Sequence, residues 1–335
     1  MLFQPAIIAL LLASLLSVAM LAAAAPFAAQ LIRHWNIASG SELQLRLERR
    51  TYLFSTLTAV VFAAQILALL LTVFNADHMA VMFVGAMCAV GTLNANAWGF
   101  PMLYGQIAVF FLAAAWLMLN HVDNQAPDYP LVRVKYVLLI ALLPVVAAVG
   151  WLQLRYFLNL RADVITSCCG SLFSNDSQTL ASEASGMEAK PAILLFYGAL
   201  GFAIFANTLH AGLKLRWTGA VAALASLAAF IAAMIGILSF ISLYVYEHPH
   251  HHCPFCLLKP EYGYQGYLLY LPLFAATAAG IGAGILQPFV RRSSLAVPAT
   301  TTAARLAAYA AIGFGIFAAI ATAMVLRSNL ILLGG

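Results

Sequence analysis

The stretch HPHHHCPFCLLKPEYGY, residues 248–264, gathers His248, His250, His251, His252, Cys253 and Cys256 in a chain with eight histidines and five cysteines in all. Two cysteines three positions apart carry either of two chemistries. As a redox pair, one thiolate attacks a partner disulfide and the other resolves the mixed species. As part of a metal site, both bind a soft ion such as copper or zinc, with the four imidazoles as further ligands. Pro254 suits the first turn of a short helix, where the dipole and any protonated histidine beside it favour a thiolate.

Three more cysteines bear on that choice. Cys168 and Cys169 are adjacent, in the sequence SCCG. Neighbouring Cα atoms are about 3.8 Å apart, below the usual disulfide range of about 4.4–6.8 Å. A bond within this pair is therefore strained, and the expected partner of one member is Cys253 or Cys256. In the metal alternative, all four thiols converge on one ion. Cys88 lies between Gly85 and Gly91 at helical spacing, on a small-residue face where helices approach closely. It is either an apolar filler or an inner thiol that takes electrons or metal from the other four.

The elements that must position these residues follow from composition. The chain has 335 residues, 64% hydrophobic and 8% charged, against roughly 25% charged in a soluble domain. A helix needs about 20 apolar residues to cross a bilayer, and isolated strands leave backbone groups unpaired in lipid. The expected fold is an all-α bundle, a single integral membrane domain over 1–335. Apolar runs predict eight spans near 6–31, 51–75, 98–120, 137–159, 192–212, 218–246, 264–289 and 305–327. Residues 79–97 hold an apolar part too short to span and read as a re-entrant or interfacial segment. Ser41 and Gln44 have capping-box spacing, which predicts a helix start near Glu42. SVAMLAAAAPFAAQ offers small residues at a signal-like cleavage position, but the apolar run continues to Arg33 and no Lys or Arg precedes it. The first span is expected to be retained.

Eleven of the sixteen Lys and Arg residues fall on one side of this arrangement, among them Arg46, Arg49, Arg50, Lys135 and Arg292. By the positive-inside rule that side is cytoplasmic and both termini lie outward. The net charge of +5 is thus a matter of topology, and no nucleic-acid partner is implied. The outward loops are 160–191, with Cys168 and Cys169, and 247–263, with the histidines, Cys253 and Cys256; Cys88 falls near the same face. His34, His121 and His210 fall near cytoplasmic helix ends, where headgroup contact is expected. Tyr262, Tyr264, Tyr267 and Tyr270 read as an interfacial belt. Neither a Cys-x-x-Cys-His haem attachment nor a phosphate-binding glycine pattern occurs.

With Cys253-Pro-Phe-Cys256 at a helix mouth, Cys168 and Cys169 in an outward loop and an all-helical membrane body, the layout resembles quinone-linked membrane thiol oxidoreductases of the DsbB and vitamin K epoxide reductase type. The resemblance covers those residues and not the whole chain. It departs from the pattern in having eight spans instead of four or five, and adjacent loop cysteines. What it implies is a thiol–disulfide oxidoreductase of the bacterial inner membrane. Its Cys-x-x-Cys would exchange electrons with a quinone, and its loop cysteines with a periplasmic thioredoxin-like protein. Two other classes stay open: a soft-metal binding or transfer protein, and a structural membrane subunit, bound to partner subunits, whose outer loops are stapled.

Overall fold

The computed structural model describes residues 3–161, 164–166, 187–249 and 251–330. Cys168, Cys169 and His250 lie outside the described residues. The protein is all-helical. Among the described residues, eight helices are long and apolar enough to cross a membrane: α1 (Pro5–His34), α2 (Glu42–His78), α4 (Gly99–Asp123), α5 (Val132–Leu158), α6 (Ala189–Leu213), α7 (Arg216–Tyr246), α8 (Gln265–Ile285) and α9 (Ala296–Arg327). Each coincides with one predicted span. A ninth, α3 (Ala89–Leu93), is short. By these helices the chain is an integral membrane protein, and their outward apolar faces suit contact with lipid.

α2 begins at Glu42, and Ser41 Oγ accepts a hydrogen bond from Gln44 N–H (3.3 Å). The reciprocal half of the box is used differently. Gln44 Oε1 accepts from Asn36 N–H (3.1 Å), which ties the α1–α2 connection to the helix.

By its contacts the chain divides into two compact units. The first comprises residues up to 75, 95–161 and 289–299. Its core joins Leu21, Phe27 and Leu31 of α1 to Phe62, Trp116, Tyr136, Leu139 and Val146. Among the buried positions of α5, Lys135, Leu139, Leu142, Val146, Val149, Gln153 and Tyr156 follow the 3-4 spacing of a helix seam. Polar residues at those positions are matched across the bundle. Ser14 Oγ donates to Gln153 Oε1 (2.8 Å), and Gln65 Nε2 donates to Ser17 Oγ (2.7 Å).

Lys135 departs from its role as a cytoplasmic loop charge. It lies one turn inside α5, fully buried, and its ammonium meets Asp123 Oδ2 (2.8 Å), Asn120 Oδ1 (3.0 Å) and Ser55 Oγ (3.4 Å). Asp123 closes α4 and also accepts from Leu131 N–H (2.6 Å). The pair therefore fastens the α4–α5 hairpin from within, and its charges cancel.

The second unit comprises 76–94, 162–288 and residues from 300 on. Its core is built on Phe196, Phe240, Leu257, Leu269, Leu273, Phe314 and Phe317. α7 and α8 approach closely through the glycine run of α8: a Cβ on Gly280 would meet Ser226 Oγ at 2.0 Å. His210 is not at a headgroup surface but buried in this unit. Thr218 spends its hydroxyl hydrogen on Leu215 O (2.7 Å), so it accepts from His210 Nδ1–H (2.9 Å), and Nε2 faces Gln287 Nε2 (3.1 Å). Both ring nitrogens are engaged by the fold.

Removing one partner of a buried ion pair leaves an uncompensated charge and costs about 3–5 kcal/mol. Lys135→Met is expected to lower stability by that order in denaturant unfolding of the detergent-solubilised protein. Lys135→Met combined with Asp123→Asn is expected to recover most of the loss.

Candidate thiol site

The second unit brings together three cysteines, two of which, Cys88 and Cys253, are 165 residues apart in sequence. The Sγ atoms of Cys88, Cys253 and Cys256 all lie within 4.8 Å of one another, with Cys88 and Cys253 at 3.4 Å. All three side chains are buried, and no disulfide is formed by them.

Cys88 arrives on a backbone unlike the expected small-residue helix face. α2 gives way to a 3-10 turn (Met79–Met82), Phe83 is extended, Gly85 has φ +82°, and Cys88 is extended just before α3. Gly85, Cys88 and Gly91 thus share no helix face. Glycine is required at 85 for two reasons. Its φ lies in the left-handed region, and Thr166 O stands 2.3 Å from where a Cβ would sit. Thr166 N–H donates to Val84 O (2.9 Å), so residues 84–85 and 166 are joined backbone to backbone. The Asp77 carboxylate accepts a hydrogen bond from Ala89 N–H and has Lys259 and Cys88 within electrostatic range. It is an acidic neighbour that the pattern of cysteines and histidines did not reveal.

Cys253 and Cys256 sit on a turn instead of a helix. Pro254 and Phe255 form the bend and Cys256 opens a single 3-10 turn, Cys256–Leu258, so Pro254 does not start a helical turn. Two tyrosines hold the bend in place. Tyr246 Oη, at the end of α7, donates to Cys253 O (2.5 Å), and Tyr270 Oη, from α8, donates to Pro254 O (2.8 Å). Tyr270 therefore does more than mark an interface. Tyr262 packs edge-on against Tyr246 (4.6 Å between centroids). Its phenol is pushed above the usual range by burial first and by Cys256 next, which keeps it neutral.

The histidines take other work. His252 Nδ1–H donates to Leu238 O (2.8 Å), a carbonyl in the π-helical turn Ile237–Ile241 of α7. Such a turn shifts hydrogen bonding by one residue and frees carbonyls for other partners. The His251 ring lies against Tyr246 (4.1 Å between centroids), and His248 is exposed. Among the described residues, no imidazole or carboxylate joins the three sulfurs as a close ligand group. Among the described residues, the third close ligand atom beside Cys253 and Cys256 is Cys88 Sγ. The turn that carries Cys253 bends toward Cys88, and the imidazole before it is spent on α7.

Comparison with family models, curated proteins and solved structures finds no significant match to this chain.

The backbone junction at Gly85 sets the approach of Cys88 to Cys253. Gly85→Ala combines a left-handed backbone with a clash on Thr166 O, and such strain costs of order 1–3 kcal/mol. The variant is expected to give several-fold less Cys88–Cys253 cross-linking under mild copper–phenanthroline oxidation, read by peptide mapping.

Proposed function

We propose that the protein is a membrane thiol–disulfide relay in which Cys253 is the shared sulfur. The observation that carries this is the 3.4 Å contact between Cys88 Sγ and Cys253 Sγ, with Cys256 Sγ in the same cluster. When Cys253 and Cys256 are joined, a Cys88 thiolate attacks Cys253. The Cys88–Cys253 bond forms, the Cys253–Cys256 bond breaks, and Cys256 leaves as the thiolate. One disulfide is consumed and one is made, so no outside oxidant enters this step. Burial under Tyr246 and Tyr270 keeps water and stray thiols from the linkage.

Cys168 and Cys169 serve as the outward pair, exchanging with a thioredoxin-like protein of the periplasm. A membrane quinone takes up or supplies the two electrons and two protons of each dithiol–disulfide conversion, as the resemblance to quinone-linked oxidoreductases implies. The proposed setting is the bacterial inner membrane, with the cysteines and both termini outward.

Cys256→Ser removes the sulfur that would reopen a Cys88–Cys253 bond, so two-electron oxidation of Cys88 and Cys253 by the membrane quinone is expected to leave a stable Cys88–Cys253 disulfide in membranes, mapped by mass spectrometry without reduction. A relay through Cys88 is overturned if Cys88 is never found in a disulfide in this variant or in the parent protein.

A soft-metal site is the second function that the cluster supports, favoured by the convergence of three sulfurs where a disulfide needs two. It predicts that protein purified anaerobically retains a metal ion with Cys88, Cys253 and Cys256 reduced, and that a chelator removes it.

A further inference from the structure

We infer that the first unit holds one anionic phospholipid in a groove between α1 and α2, with the lipid phosphate on Arg50. The groove measures about 440 Å³, within the roughly 300–1,000 Å³ usual for ligand clefts. Phe27 of α1 and Phe54 of α2 stack at 4.7 Å between centroids and form its floor. Ala23, Pro26 and Leu53 wall it and are exposed, so it opens on the outer face of the helix pair.

Its lining is graded in polarity. α1 and α2 run antiparallel, with Ser17 against Gln65, Phe27 against Phe54 and Asn36 against Gln44. That register sets Gln30 and Arg50 at one level, at the end of the groove nearer the connection between the helices. Ala23 lies about 10 Å deeper along α1, at 1.5 Å per residue. A polar mouth above an apolar trough matches a molecule whose phosphate is joined to an acyl chain, and a soluble anion would use only the mouth.

Arg50 has the charge to spare. The acids before it on α2 are engaged, Glu42 by Arg46 and Glu48 by Gln44 Nε2 (2.8 Å). The residues one turn away on α2 are Arg46 and Phe54, and among the described residues Arg50 forms no ion pair. A guanidinium presents two parallel N–H donors to phosphate oxygens, and the Gln30 amide at the same mouth supplies a further donor. Arg50 also stands on the side that carries most of the chain's Lys and Arg, where the positive-inside rule places the cytoplasmic leaflet and its anionic lipids.

The test is native mass spectrometry of the full-length protein in neutral detergent, titrated with phosphatidylglycerol and, in parallel, phosphatidylcholine. The expected result is one phosphatidylglycerol per chain, bound in preference to phosphatidylcholine and not displaced by inorganic phosphate. Arg50→Gln should weaken it about tenfold or more, as for loss of a hydrogen bond to a charged group. Arg49→Gln, which removes a neighbouring cation outside the lining, should leave it unchanged. Leu53→Trp fills the trough while keeping Arg50 and should also lose the lipid. Both Arg50 and Leu53 are exposed, so neither change removes core packing. Equal binding of phosphatidylcholine would overturn the anionic assignment. Equal losses in Arg49→Gln and Arg50→Gln, or full binding in Leu53→Trp, would overturn the groove as the site. Displacement by inorganic phosphate would assign Arg50 to a soluble anion and overturn the lipid.

Discussion

The interior of each unit is enclosed by apolar helices, so a polar group placed there has to find its partner inside the protein. That constraint explains the arrangement of most buried polar side chains. Lys135 meets three acceptors because an ammonium has three hydrogens and no water to give them to. Gln153 accepts from Ser14, and His210 is held between Thr218 and Gln287. Where the α-helical pattern of α7 gives way to a π turn, a carbonyl opens and His252 fills it.

The same constraint shapes the thiol site. A thiol is a weak donor and packs much like a small apolar group, so three of them can be buried at little cost. A lone buried thiolate is costly, because nothing around it replaces the lost hydration. Forming a disulfide removes the ionisable groups, and binding a cation compensates them. Both chemistries that suit the cluster thus relieve the charge that burial penalises. The tyrosine hydroxyls contribute by occupying the carbonyls of Cys253 and Pro254, which holds the bend of residues 253–256 still.

The covalent order of the chain adds a second constraint. Cys253 and Cys256 come on a turn between α7 and α8, which are neighbours in the bundle, and so their place follows from the hairpin that carries them. Cys88 comes from a segment where helix formation stops, and its place depends on Gly85 and on the backbone bond between Val84 and Thr166.

The amino-acid sequence by itself determined the eight membrane helices and the start of α2, because apolar runs and a local cap are properties of neighbouring residues. It also marked Cys88 as a candidate without saying what it touches. Only the tertiary structure decided that Cys88 joins Cys253 and Cys256 in one close cluster. Residues 88 and 253 meet through packing between distant segments, and no local pattern encodes such a contact. Lys135 shows the same division: its charge is visible in the sequence, but whether it faces headgroups or Asp123 depends on where α5 turns its first two turns. His252 does so too, since its partner is Leu238 O, a carbonyl of the π turn in α7 that lies 14 residues away in sequence.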